Sequence, residues 1–492
     1  MRRRSYIYSP NPLPAKKRAK PRVLITTIIG ICLITQTSWG APVAINRTLE
    51  EAWLAAYRTN PTLASERAKL RATDEQVSQA LSNWRPNVDV ISSVGRLYQT
   101  LPNQGSSTTG DFAGTPRGYG IQVKQPLFRG FRTAAQTSAA EKLVLAERAR
   151  LDAAEQQLFL DTATVFLDLV RDIALVDATR KDEAGLRKKL EEVQVRYRAG
   201  DLTQTDVHQA QTRLARANRN RVQAQNAIRL DIPRYRRLTG SEAPDNPVEP
   251  QLTLDDPTDL EDALTQAVAQ NPNVIAALYQ AEEANAEVRL AKGALLPELD
   301  LAFSATRNWE QSSTFPERND NVQVLLQMNV PIYRAGTDYS RIRQAVEVVA
   351  ERDDDLDEAR RKAQDVAESA WQVMASAQES FDFAKAELRS ATLALEGVRE
   401  ESRVGTRTTI DVLNAEQELL DAQTELVKSK HDIDLGMLQI KAAVGQLTAN
   451  TLHLPTANYD PRQHYDEVRD KWFGTSAARA QDAVIPALIK KP

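Results

Sequence analysis

Cysteine is nearly absent. The one copy, Cys32, lies in an apolar run and follows Ile31, where a lipoprotein signal needs a small residue, so lipidation is not expected. No cysteine remains beyond it to form a disulfide. Only four histidines occur (His208, His431, His453, His464), none in metal-ligand spacing with another, and neither a metal nor a cofactor is expected. Aromatics make up 6% and glycine and proline are sparse, while 26% of residues are charged. That profile suits long helices better than a compact enzyme. Beyond residue 40 no stretch is apolar enough for a membrane helix, so any membrane span must be built of strands.

Residues 1–40 differ from the rest. Arg2, Arg3, Arg4, Lys16, Lys17, Arg18, Lys20 and Arg22 form a basic region, residues 23–34 a short apolar one, and Ser38-Trp39-Gly40 a small-residue cleavage site. This reads as a secretory signal peptide. Without those eight basic residues the chain holds 55 Lys and Arg against 66 Asp and Glu, a net charge near −11, which argues against a nucleic-acid partner.

The remainder reads as two repeats, 41–245 and 246–445, followed by an extension at 446–492. Asn60-Pro61 recurs as Asn271-Pro272, Pro86 as Pro297, and Pro126-Leu127-Phe128-Arg129 as Pro331-Ile332-Tyr333-Arg334. Each repeat predicts a short helix ending at Asn-Pro, a second helix, two strands, a very long helix at about 132–197 or 338–401, and a returning helix. The extension is expected to strap the helices, with a free tail from about Thr475.

The expected strand pairs lie at about 87–99 with 118–127, and about 298–308 with 321–332. Val322, Val324, Leu326 and Met328 alternate with Gln323, Leu325, Gln327 and Asn329, and Leu299, Leu301 and Phe303 with Asp300, Ala302 and Ser304. Thr100–Arg117 and Glu310–Asp320 read as solvent loops. A half-buried sheet in a soluble domain would show the same alternation. Export, the aromatics near strand ends (Tyr98, Tyr119, Phe128, Trp309, Phe315, Tyr333) and a strand count too low to close a barrel alone favour a membrane barrel shared among chains.

Along 338–401 a seam runs through Ala359, Ala363, Val366, Ala370, Val373, Ala377, Phe381, Ala384, Leu388, Ala391, Leu395 and Val398 at coiled-coil spacing. Between each long helix and its return lies a turn. Tyr197-Arg198-Ala199-Gly200-Asp201-Leu202-Thr203-Gln204-Thr205-Asp206 matches Ser402-Arg403-Val404-Gly405-Thr406-Arg407-Thr408-Thr409-Ile410-Asp411 without a gap. Gly200 and Gly405 supply left-handed stops, and the Thr and Asp that follow can cap the next helix. Such a turn by itself is also compatible with a plain helical hairpin.

Signal peptide, duplicated halves, strand pairs and hairpin tips with Val404-Gly405-Thr406-Arg407-Thr408 followed by Asp411-Val412-Leu413 together resemble the TolC family of outer-membrane channel proteins, over residues 41–445. The resemblance implies an α+β membrane protein with an internal two-fold repeat. Four strands per chain would enter a trimeric β-barrel, continued through the periplasm by a long barrel of α-helical hairpins. It implies a homotrimer in outer-membrane lipid, a periplasmic adaptor and an inner-membrane pump of ABC or RND type, and export by efflux or type I secretion. At the tip it implies a latch of Arg407 with Asp206 or its neighbour Thr205, and a constriction ring at Asp411 and Asn414, the second uncharged here. The turns would be formed by Gly200, Gly405 and Thr406, with Tyr197 of no assured role and Ser402 where this branch has Tyr. Asp411 also fits a simple helix cap, and Arg407 a surface arginine. Two other classes compete: a periplasmic adaptor or coiled-coil scaffold without a pore, and an enzyme on a helical scaffold, for which no converging polar residues are found.

Overall fold

The computed structural model describes residues 47–101, 110–254, 256–310, 318–455 and 459–475. The signal-peptide reading, Phe315 and the tail beyond Thr475 lie outside the described residues. All of the described chain belongs to one compact unit.

Helix α1 (Leu49–Thr59) opens with a capping box in which Thr48 and Glu51 satisfy each other's backbone N–H groups. It stops at Asn60, and α2 (Pro61–Ser82) starts at once with proline in its first position. Strands β1 (Asn87–Val94), β2 (Leu97–Leu101), β3 (Gly110–Gly114) and β4 (Arg117–Arg129) follow. Then come α3 (Arg132–Arg198) and α4 (Gln204–Thr239). The same order returns as α5 (Leu260–Gln270), α6 (Pro272–Gly293), β5 (Glu298–Trp309), β6 (Asn319–Asn329), α7 (Thr337–Arg403) and α8 (Thr409–Ala443). Helix α9 (Gln463–Val468) lies in the extension. Helices α3 and α7 have 67 residues each, rods of about 100 Å at 1.5 Å per residue.

Two strand expectations need correction. The strand expected at 87–99 breaks after Val94, where the Gly95 N–H donates to the Pro116 carbonyl, and Thr100–Arg117 is not all loop: β2 and β3 pair there as a separate two-stranded ribbon. The second-half strand ends at Asn329 rather than 332, just before Val330 and Pro331.

The main sheet has the order β1-β4-β5-β6, all antiparallel. Its register assembles apolar rows across all four strands. Val88, Val123, Phe303 and Val324 form one row, and Val90, Ile121, Ala305 and Val322 another. The alternate row Asp89, Gln122, Ser304 and Gln323 is polar and lies on the opposite face. Val88 is 64% exposed and Val324 67%, so the apolar face is bare in a single chain. The rows run out to β1 and β6, the two edges of the sheet. Pro126, which cannot donate to a ladder, sits at the β4 register shift.

The returning helices are half the length of the rods they pack on, and the Asn-Pro junctions show what completes the column. Asn60 accepts the Thr62 N–H with Oδ1 at 2.9 Å, and its Nδ2 donates to the Leu238 carbonyl at the end of α4 at 3.1 Å. Asn271 repeats this with the Asn273 N–H at 2.9 Å and the Ala443 carbonyl of α8 at 3.0 Å. One amide thus caps the helix it starts and a carbonyl of the helix it abuts. At the strand end, α6 meets the β4–α3 turn so closely that a Cβ on Gly293 would stand 2.5 Å from the Gly130 carbonyl oxygen.

The main core lies where α1, α2, α3 and α4 meet, around Trp53, Leu63, Phe159, Phe166 and Tyr235. The extension closes over it: Leu447 and Leu454 are buried there, and the Ala449 N–H donates to Glu155 Oε1 at 2.7 Å. Burial, helped by Asp152, pushes the Glu155 carboxyl up to about 7, against the opposing Ala449 bond and Arg67. The folded chain therefore prefers the neutral acid. Its advantage is complete below the ordinary value of 4.5 and is lost as pH rises to about 7. Glu155→Gln is expected to flatten the pH dependence of thermal unfolding between about pH 5 and pH 8, with the variant gaining most at the alkaline end.

The α7 seam divides in two. Ala363, Ala370, Ala377, Ala384 and Leu395 are buried, but Val366 and Val373 are 45% and 51% exposed. A single chain provides α7 with neighbours on one side only. Among the described residues no helix is long and apolar enough to cross a membrane.

Candidate functional site

Both hairpin tips close by the same backbone device. At the first, Gly200 (φ 87°) donates to the Tyr197 carbonyl at 3.0 Å and Asp201 N–H to the Arg196 carbonyl at 3.0 Å. At the second, Gly405 (φ 86°) donates to the Ser402 carbonyl at 3.2 Å and Thr406 N–H to the Glu401 carbonyl at 3.0 Å. This pair of bonds needs a left-handed residue in the glycine position. Tyr197 and Ser402 therefore serve the turns through their carbonyls, whatever their side chains are.

The next helices start with matching capping boxes. Thr203 N–H donates to Asp206 Oδ2 at 2.8 Å and Asp206 N–H to Thr203 Oγ1 at 3.3 Å. Thr408 N–H donates to Asp411 Oδ2 at 2.9 Å and Asp411 N–H to Thr408 Oγ1 at 3.4 Å. The Thr203 N–H and hydroxyl hold the Asp206 carboxyl below the usual carboxylate range, and Thr408 does the same for Asp411, with Arg407 adding to it. Both carboxylates are anions at neutral pH.

Arg407 Nε donates to Glu401 Oε2 at 2.8 Å, and that carboxylate keeps the guanidinium firmly charged. Among the described residues no ion pair joins Arg407 to Asp206. Thr205 stands exposed in the first turn of α4. Thr406 donates its hydroxyl to the Glu401 carbonyl at 2.9 Å, so Glu401 gathers the turn through both its backbone and its side chain. Glu401 is the tip residue that sequence reasoning missed; it lies outside the aligned turn segment and looks like one more charge on a helix face.

The two tips lie side by side. Leu413 of α8 is buried with Leu186 of α3 and Ala217 of α4, while Val412 turns to Leu395 of α7. Arg213 of α4 donates to Asn414 Oδ1 at 2.6 Å. Asp411 and Asn414, three residues apart, share one helix face, and the Asn414 side chain is engaged by the neighbouring hairpin. A groove of about 650 Å³ runs between α3 and the second tip, lined by Lys188, Lys189, Arg196, Arg399 and Arg403 with Glu192 and Glu416.

Higher in the helices, two of the four histidines are buried in ion pairs. His431 Nε2 lies 3.0 Å from Asp168 Oδ1, and Arg171 reaches both Asp168 and Asp172 at 2.7 Å. Burial, with Asp172 and Asp168 nearby, pushes the Asp231 carboxyl of α4 up to about 6. This network ties α3, α4 and α8 together. His464 Nδ1 of α9 lies 3.1 Å from the fully buried Asp74 of α2. These partners are hundreds of residues apart in sequence, and no local signal marks them.

A four-stranded sheet with a bare apolar face, attached to paired helical rods that end in capped turns, defines an outer-membrane channel protein. The chain belongs to the outer membrane efflux protein family, whose model matches residues 55–241 and 263–446. It is 32% identical over 446 residues to the outer membrane efflux protein BepC of Brucella suis biovar 1 (strain 1330), covering 90% of this chain and 95% of that protein. It is 24% identical over 443 residues to the outer membrane protein TolC of Escherichia coli (strain K12), covering 87% of each. Among solved structures, the outer membrane protein VceC of Vibrio cholerae shares the fold with a TM-score of 0.70 at 19% identity, covering 81% of this chain and 96% of that one. The protein is thus an outer-membrane channel for efflux or type I secretion.

Proposed function

We propose that the chain acts as one third of a homotrimeric channel-tunnel that receives substrate from an inner-membrane pump, of ABC or RND type, through a periplasmic adaptor. Residues 41–245 and 246–445 are its two repeats and 446–492 a periplasmic extension. The observation that carries this reading is the sheet: continuous apolar rows on one face, polar rows on the other, and open edges at β1 and β6. Four strands need partners, and three copies would supply a twelve-stranded barrel. Helix α7 fits the same scheme, since its exposed Val366 and Val373 await neighbours from another copy.

In this assembly three Asp411 carboxylates would ring the pore mouth, with Asn414 just beyond them as an uncharged second ring. The cap occupies Asp411 Oδ2, so cap and ring are compatible roles. In a ring the carboxylates would repel, pushing at least one pKa up where the cap alone holds it low, and would attract cations. Planar-bilayer recordings test this. Multivalent cations are expected to block the wild-type current and to do so several-fold more weakly in Asp411→Asn. A wild-type current indifferent to such ions removes Asp411 from the narrow point, and no current from inserted trimers removes the channel.

A further inference from the structure

Beyond the core it covers, the described part of the extension carries two bare aromatic rings near the sheet. Trp472 is 58% exposed and Phe473 87%, with ring centroids 6.5 Å apart. Their position is fixed from below: Arg85 Nη1 donates to the Lys471 carbonyl at 2.8 Å, and its guanidinium stacks 4.9 Å from the centre of the Trp472 ring. Arg85 lies two residues before β1, whose Val88 and Val90 open the apolar rows of the sheet. Trp84, beside it, accepts through its carbonyl from Gln125 of β4 at 2.9 Å. The rings therefore stand at the level where strands pass into helices, with Arg85 against the indole and Lys471 next to it in the chain, while Arg469 pairs with Glu141 at 3.4 Å.

We propose that Lys471-Trp472-Phe473 is a membrane-interface anchor, by which the extension seats on the phospholipid headgroup layer at the periplasmic face of the outer membrane. An amphipathic indole backed by a guanidinium suits that layer: the ring enters the acyl boundary while the cations meet phosphates. Exposed rings of this size gain nothing from water, and the apolar sheet face begins at Val88, three residues after Arg85. The anchor would hold the strap in place at the sheet end, as the His464–Asp74 pair holds it on α2.

The inference rests on the sheet being the membrane-embedded part, so its test carries a control for that. Residues 41–492 hold no cysteine, and with Cys32→Ser in the full chain single spin labels can be placed at Phe473→Cys, Val324→Cys and His208→Cys. The protein is reconstituted in vesicles of phosphatidylethanolamine with phosphatidylglycerol. Collision with oxygen, which concentrates in lipid, is compared with collision with a water-soluble nickel chelate. Val324 is expected to report lipid, His208 water, and Phe473 an oxygen-to-nickel ratio several-fold above His208 and below Val324. A wet Phe473 beside a lipid-exposed Val324 overturns the anchor alone. A Phe473 label shielded from both quenchers places it against protein, such as a second copy, and also overturns it. A Val324 label as wet as His208 overturns the membrane sheet, and the anchor with it.

Discussion

Arg407→Ser is expected to raise single-channel conductance several-fold over wild type in planar bilayers. In one chain Arg407 bonds Glu401, six residues earlier, and so ties the start of the α8 turn back to the end of α7. Both side chains are about half exposed, so one such pair is weak and screened by salt. In the proposed trimer three such pairs around one mouth would act together, and a shut state would need only a modest bias that adaptor contacts could reverse. Two companions locate the partner. If the latch works within a chain, Glu401→Gln should open the channel as Arg407→Ser does, and Asp206→Asn should leave it shut. The reverse result would mean that assembly moves Arg407 from Glu401 to Asp206 of an adjacent hairpin. The ratio of variant to wild-type conductance should also fall at high salt, because salt already loosens the wild-type pair. Equal conductance in Arg407→Ser and wild type at low salt would leave Arg407 a surface arginine.

Phe159→Ala should produce the largest loss of stability. Phe159 is fully buried in α3, its ring 6.1 Å from those of both Trp53 and Tyr57, and its carbonyl accepts the Trp53 indole N–H at 2.9 Å. Removing a buried aromatic ring costs about 3–5 kcal/mol when the walls do not collapse, and here the walls are helices held by their own caps. A clear drop in melting temperature and early proteolysis of the α1–α2 segment are expected, because that segment depends on α3 for its buried face. Phe159→Leu should recover most of the loss. A melting temperature unchanged in Phe159→Ala would show that the cavity closes and that the junction is softer than its packing indicates.

How much of this could be read without coordinates follows from the range of each interaction. The helices, their Asn-Pro stops, the strand alternation and both tip turns rest on contacts between residues at most five apart, such as Thr408 with Asp411 and Thr406 with Glu401. Local bonds leave local patterns, so the sequence by itself determined the order of helices α1 to α8, the capped turns and the alternating faces of β4, β5 and β6. The β1–β2 break and the β2–β3 ribbon escaped because Gly95, Arg96 and a run of Gly, Ser and Thr carry no alternation to read.

Only the tertiary structure decided the rest. Val88, Val123, Phe303 and Val324 become one apolar row through register, which depends on pairing across the whole chain. Asn60 was legible as a cap, but its second bond, to Leu238, exists only because α4 ends where α2 begins. The pairs of His431 with Asp168 and His464 with Asp74 span 263 and 390 residues, and nothing in either neighbourhood selects the partner. A charged side chain on a helix looks the same in sequence whether it meets water or a buried carboxylate. Packing alone tells these apart, because burial gives each polar group a choice between a partner and a desolvation cost.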